Sequence, residues 1–263
     1  MSDTFEYNSR AWDKQVAKKN PWTIPVTATQ LEAARKGDWS VVLTPLKPVP
    51  RNWFGDIRGS KILGLASGGG QQGPLFAAAG ASVVVLDASC AQLELDRKAA
   101  REHSLDLSAE HGDMRDLSRF SDSSFDLIFH PVSNSFIPDP LPVWREAARV
   151  LKPGGRLLAG FCLPQLWLVD PKKDEKGEIE VRFRLPYSDE AQMAPDELKA
   201  LKEAREPLCY GHTLDAQIGG QLEAGLVITG FYEDSWEPGR SALCDRIACF
   251  AATMAVKGSG RNF

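Results

Sequence analysis

Ile62-Leu-Gly-Leu-Ala66-Ser67-Gly68-Gly-Gly70-Gln-Gln-Gly73 begins as an apolar strand and ends in a glycine-rich turn. Lys61–Ala66 predicts a short buried strand, and Gln71–Ala79 predicts a helix stopped at Gly80. Glycines let the backbone turn sharply and come close to a ligand with no Cβ in the way. A helix start adds free N–H groups and a partial positive charge, which favour a carboxylate or phosphate. The next strand, Ser82-Val-Val-Val-Leu86, ends at Asp87, which a parallel sheet places beside the turn. An acid there can accept hydrogen bonds from both hydroxyls of a ribose, and ligands of such sheets sit at the carboxyl ends of strands. The motif therefore reads as a site for an adenosine-containing cofactor. Gly68-x-Gly70-x-x-Gly73 also satisfies the dinucleotide fingerprint, so local physics leaves the choice of cofactor open.

Downstream, strands and helices alternate. Ser89–Glu102 reads as a helix, Ser108–His111 as a short strand, Phe125–His130 as a strand and Leu141–Leu151 as an amphipathic helix. Pro153-Gly154-Gly155 then turns the chain into the strand Arg156–Cys162. This rhythm predicts an α/β fold with a mostly parallel sheet and helices on both faces. Residues 164–215 break it and read as a lid insertion. They include a charged turn at Lys172-Lys-Asp-Glu-Lys-Gly-Glu178, an alternating stretch Glu178–Arg184 and a helix Asp196–Arg205. Leu214–Ala224 predicts a helix, and Leu226–Tyr232 and Ile247–Met254 predict the last two strands. Residues 1–60 form an N-terminal cap region with a short helix from Thr29 to the stop at Gly37, and a Pro-rich stretch 44–50 too broken for a regular element. The domain reading is thus a cap over 1–60 and a main domain over 61–263 carrying the insertion 164–215.

Composition sets the outer limits. The 263 residues are 43% apolar and 25% charged, as in ordinary globular chains. The formal net charge of -4 gives no basic excess for a nucleic-acid partner. Cys90, Cys162, Cys209, Cys244 and Cys249 form no Cys-x-x-Cys pair and fit reduced thiols in a cytoplasmic protein. The first residues lack a signal-peptide core, and no run of about 18 apolar residues suggests a membrane span. With four scattered histidines, no metal site is expected.

Five segments, in order, resemble class I S-adenosylmethionine-dependent methyltransferases of the type 11 kind. Ile62–Gly70 is similar to their first motif, Leu86-Asp87-Ala88-Ser to the second, and Gly112-Asp113-Met114-Arg-Asp-Leu to the adenine-binding segment. Ser124-Phe-Asp-Leu-Ile-Phe-His130 resembles the strand facing the sulfonium, and Arg149-Val-Leu-Lys-Pro-Gly-Gly-Arg-Leu157 the family's helix-to-strand turn. The resemblance covers residues 58–162 well and the final strands loosely. It implies a Rossmann-like doubly wound sheet of seven strands with one antiparallel strand from the last hairpin. It also implies that S-adenosylmethionine is the cofactor and S-adenosylhomocysteine the product. Carried over by position, Ala66, Ser67, Gly68 and Gly70 line the methionine part and Asp87 binds ribose with Ala88 beside it. Gly112, Asp113 and the Met114 backbone meet adenine, and His130 and Pro131 stand under the sulfonium. The chain departs from the pattern at Gly64, where the family has an acid, and at Ala66, where it has a glycine.

Methyl transfer is an in-line displacement, so the protein mainly positions the acceptor, and a base is needed only if the acceptor must lose a proton. Candidates for chemistry are His130 and His212. Ser133, Asn134, Tyr187 and His212 are candidate substrate contacts, and Trp12 is a candidate closure over the cofactor. Each has a plain structural alternative: loop turn, helix cap or aromatic packing. The acceptor is expected to be a small molecule, and cap and lid aromatics hint that it is apolar. Two competing classes remain. A nicotinamide oxidoreductase would need a pair such as Tyr-x-x-x-Lys, but Ala191 stands four positions after Tyr187. A non-catalytic S-adenosylmethionine-binding protein would fit the altered first motif.

Overall fold

The computed structural model describes residues 3–258; the ends of the 1–60 and 61–263 regions, residues 1–2 and 259–263, lie outside it. Seven strands form one sheet: β1 Lys61–Leu65, β2 Ser82–Asp87, β3 Leu107–His111, β4 Phe125–His130, β5 Leu151–Cys162, β6 Leu226–Asp234 and β7 Phe250–Lys257. Their spatial order is β3-β2-β1-β4-β5-β7-β6. The first five run parallel, and β7 is antiparallel to both neighbours. The order reverses between β1 and β4, so a crevice opens at the carboxyl ends of those strands.

Strand alternation builds two cores. Ile62, Val83, Val85, Leu127, Phe129 and Leu158 face one side, where Phe76 and Leu93 pack on them. Leu63, Leu65, Leu86, Ile128 and Leu157 face the other, against Trp144, Ala147 and Val150. Both faces are covered, which is why these strands read as continuous apolar runs. The helices are α1 Asp3–Ala17, α2 Ala28–Arg35, α3 Gln72–Ala78, α4 Cys90–His103, α5 Leu141–Val150 and, within residues 164–215, α6 Pro195–Glu203. Thr27 and Gln30 form a capping box on α2, and Ser89 caps α4.

The N-terminal region belongs to the first core. Trp39, Val41, Leu43, Trp53 and Phe54 are buried in it. A Cβ on Gly160 would lie 2.2 Å from the Leu43 carbonyl, so this chain crosses directly on β5 and only glycine fits beneath it.

Four expectations need adjustment. The strand after α5 starts at Leu151, before the Pro-Gly-Gly turn, and the extra residues bulge between the pairs Phe125–Leu151 and Leu127–Arg156. The last strand starts at Phe250 and not at Ile247. Glu178–Arg184 forms a single bridge, Val169 to Val181, and no strand, while Pro171–Asp174 is a helical turn capped by Asp170. Val181 is 72% exposed, so the alternation has no buried face to hold a register. Asp170 and Glu197 instead bind Arg182 in an ion-pair cluster. The predicted helix Leu214–Ala224 is a turn of π-helix, Asp215–Gly219, continued by Gly220–Glu223.

Candidate active site

The glycine turn is braced from behind by two carboxylates. Gly68 N–H donates to Asp87 Oδ2 at 2.9 Å, and Gly69 N–H donates to Asp96 Oδ2 at 3.0 Å. Ser89 N–H donates to Asp87 Oδ1 at 2.8 Å. These two turn amides are therefore turned towards the protein. A Cβ on Gly68 would come within 3.1 Å of the Asp87 carboxylate and 2.9 Å of Gln92, which is why glycine is required there. Ala66 adopts a left-handed φ of 48°, a conformation more easily held by glycine. Burial pushes the Asp87 carboxyl up from the usual carboxylate value, and the amides of Ser89, Gly68 and Ala88 oppose that shift.

In front of the turn lies a cavity of about 340 Å³. It falls within the range of small-molecule sites. Of the residues expected at the site, Trp12, Ala66, Ser67, Gly68, Asp87, Ala88, Gly112, Asp113, Met114, Pro131 and Ser133 line it. α1 roofs the cavity with Phe5, Asn8 and Trp12. Ser9 Oγ donates to Ala88 O at 2.7 Å, Asp13 Oδ1 accepts from Ser89 Oγ and Ala91 N–H, and Asn8 bonds Leu208 in both directions. Trp12 packs edge-on against Phe136, centroids 5.0 Å apart.

Gly70, His130, Asn134, Tyr187 and His212 do not line the cavity. Gly70 accepts Val26 N–H at its carbonyl, and a Cβ on it would stand 3.1 Å from Pro25 Cβ. His130 is fully buried behind the wall, Nδ1 2.9 Å from Leu65 O and Nε2 2.8 Å from the Asn134 side-chain amide. Burial lowers its pKa, so the ring is neutral. A neutral ring has one N–H; with Leu65 O taking it, Asn134 must turn its NH₂ to Nε2 and its oxygen to Gln217, whose amide turns in step. His212 Nε2 lies 2.9 Å from Asn134 O, and burial lowers its pKa too. Tyr187 donates to Asp189 at 2.7 Å and stacks on Trp167, which does line the cavity. These residues hold the wall from behind.

Sequence reasoning missed Phe5, Gln92, Arg115, Phe136 and Trp236; all five line the cavity. Arg115 follows the adenine-segment acid by two residues and binds both oxygens of Asp113, with the shortest contact at 2.6 Å. That proximity was a readable signal. Trp236 and Trp22 meet only through folding, centroids 6.3 Å apart.

A doubly wound sheet with a glycine turn, an acid ending β2 and a cavity at the carboxyl strand ends defines an adenosine-cofactor site of the Rossmann-like class. Residues 63–159 match the family described as Methyltransferase domain. The uncharacterized methyltransferase YbaJ of Bacillus subtilis (strain 168) is 46% identical over 257 residues, 98% of this chain and 100% of that protein. Demethylmenaquinone methyltransferase of Clavibacter sepedonicus is 36% identical over 115 residues, 43% of this chain and 46% of that one. An S-adenosylmethionine-dependent methyltransferase structure from Mesorhizobium loti aligns with a TM-score of 0.61 at 19% identity, covering 79% of this chain and 95% of that chain. The chain belongs to the class I S-adenosylmethionine-dependent methyltransferases. Among the described residues, no helix is long and apolar enough to cross a membrane.

Proposed function

We propose that this enzyme binds S-adenosylmethionine at the turn-and-carboxylate end of the cavity and methylates a small apolar molecule at the other end. The observation that carries the reading is the chemical asymmetry of that one cavity. Ser67, Gly68, Asp87, Gly112 and Asp113 line it, and so do Val132, Leu166, Trp167, Trp236 and Phe250, which pack together as one apolar cluster.

The residues fit the cofactor on a structural ground. Ser67 Oγ is buried at the cavity with no hydrogen-bond partner among the described residues, a cost that a polar ligand group would relieve. Asp87 keeps acceptor capacity for the ribose hydroxyls. Asp113 already binds Arg115, so adenine recognition would share that carboxylate with the guanidinium or rest on the backbone from Gly112 to Met114.

When bound, the cofactor supplies an electrophilic methyl group on a sulfonium. The chain's part is to align and to dry the site. Trp12 and Phe136 close it from the α1 side, and Trp22 and Trp236 close it from the other. Among the described lining residues there is no histidine, so His130 and His212 are support and not bases.

The test is calorimetric titration with S-adenosylhomocysteine, NADH and NADPH in parallel, followed by an acceptor panel read by S-adenosylhomocysteine formation. Selective binding of S-adenosylhomocysteine and turnover of an apolar acceptor are expected. Selective binding of a nicotinamide cofactor would overturn the reading. Cofactor binding without turnover across hydroxyl, thiol, amine and carbon acceptors would point to a binding protein.

A further inference from the structure

Asp96 sits in the middle of α4, one helix layer behind the cofactor turn, with no exposed surface. Carboxylates are almost never fully buried without compensation. Its Oδ2 holds Gly69 N–H at 3.0 Å, while Oδ1 has no hydrogen-bond partner among the described residues. Oδ1 points at the start of α3 instead, 3.5 Å from where a Cβ on Gly73 would stand. The carboxyl is therefore split: one oxygen grips the turn, and the other is the atom on which a proton would remove the charge without breaking that grip. Gly68 and Gly69, adjacent in the chain, are held by Asp87 and Asp96 respectively, so two buried carboxyls share the brace.

We propose that Asp96 is a positioning residue for cofactor binding, and that loss of its proton tightens the glycine turn and with it the hold on S-adenosylmethionine. An ionised acceptor makes a hydrogen bond roughly twice as strong as a neutral one. The group titrates in a useful range: burial raises the Asp96 carboxyl to about 7 against the lowering pull of the Gly69 and Gly70 amides, with the Asp87 charge adding to the rise and Arg97 opposing it. The neighbouring charges are Asp87 on β2, Arg97 on α4 with its guanidinium on Ala109 O of β3, His111 at the end of β3 facing Asp87, and Asp13 of α1 at the start of α4. The sign follows from the raised value. The free protein holds this proton below about 7. A form that binds cofactor best when ionised therefore gains affinity as pH rises through that value.

This inference rests on the cofactor reading above, and its test separates the two. Calorimetry with S-adenosylhomocysteine from pH 6 to pH 8 should show affinity rising about fivefold for the wild-type protein, the size expected when one hydrogen bond acquires a charged acceptor. Asp96→Asn keeps an oxygen for Gly69 N–H but cannot ionise. It should bind with a flat profile at the level of the wild type's low-pH limb. Should that variant fail to fold, Asp96→Ser, smaller and equally unable to ionise, takes its place and should give the same flat profile. At pH 7, titrations in two buffers of different ionisation enthalpy should reveal proton release on binding. A flat wild-type profile without proton release would overturn the proposal, as would a slope that survives in Asp96→Asn and so does not belong to Asp96. No binding at any pH would instead overturn the cofactor reading itself.

Discussion

Gly64 lies directly beneath Ser67: a Cβ built on Gly64 would come within 2.5 Å of Ser67 Oγ. The serine hydroxyl thus fills the space that an acidic side chain at position 64 would need. The departure at Gly64 is therefore coupled to Ser67, because an acid at 64 and this serine rotamer exclude each other.

Gly64→Asp alone should overpack the end of β1 and destabilise the fold by about 1–3 kcal/mol. Adding Ser67→Gly removes the clashing atom and should recover most of the loss. Paired thermal melts check this, and equal melting temperatures for the single and double variants would separate the two positions.

Ser67→Ala should raise the melting temperature slightly, because it removes a buried hydroxyl that has no partner among the described residues. If the cofactor satisfies that hydroxyl, affinity for S-adenosylhomocysteine should fall about three- to tenfold, the value of one ordinary hydrogen bond. Calorimetry on both proteins gives the ratio, and an unchanged affinity would remove Ser67 from the contact set.

Much of the fold was legible in the chain because its strands are buried on both faces. Val83 to Leu86 alternate between two covered cores, so the run is apolar throughout and its limits are sharp. The site was legible where local sequence makes it, from Ala66 to Asp87. It was not legible where distant segments meet. Asp96 reads as one more polar position on α4, and only the fold shows that it reaches the turn. His130 stands at the strand end where a ligand contact is expected, yet its ring points away to Leu65 and Asn134. A sequence places the Cα at the rim and says nothing of which side of the wall the ring takes.

Asp87→Ala should weaken S-adenosylhomocysteine binding by more than about tenfold, since charged acceptors are worth roughly 1.5–3 kcal/mol. It should also lower stability, because the amides of Gly68 and Ser89 lose their buried acceptor. Asp87→Asn keeps one acceptor oxygen and should fall between wild type and alanine in both measurements. Unchanged affinity in the alanine variant would mean that the ribose site is misplaced.

The neutral state of His130 makes a prediction about acid. Burial lowers its pKa in the fold, so below the unfolded value of about 6.5 the unfolded chain binds the extra proton and the fold loses stability as pH falls. Denaturant titrations at pH 7.5 and 5.5 should show this loss, and part of it should disappear in His130→Gln, which cannot take up a proton. A variant equally stable at pH 7.5 but with its kcat profile shifted would instead make His130 a base.

Trp236 tests the division of the cavity. Its ring meets Phe250 edge-on at 4.9 Å, lies 6.3 Å from Trp22, and carries Arg240 stacked at 3.9 Å. It lines the cavity within the apolar cluster of Val132, Leu166, Trp167 and Phe250. Trp236→Ala should therefore leave S-adenosylhomocysteine affinity within about twofold while raising the KM of an apolar acceptor tenfold or more, as expected for removing a large aromatic wall. The opposite pattern, weakened cofactor binding with an unchanged acceptor KM, would reverse the assignment of the two ends. Trp22→Ala should raise the acceptor KM as well, and the double variant should lose less than the sum if the two rings, 6.3 Å apart, close the cavity as one unit.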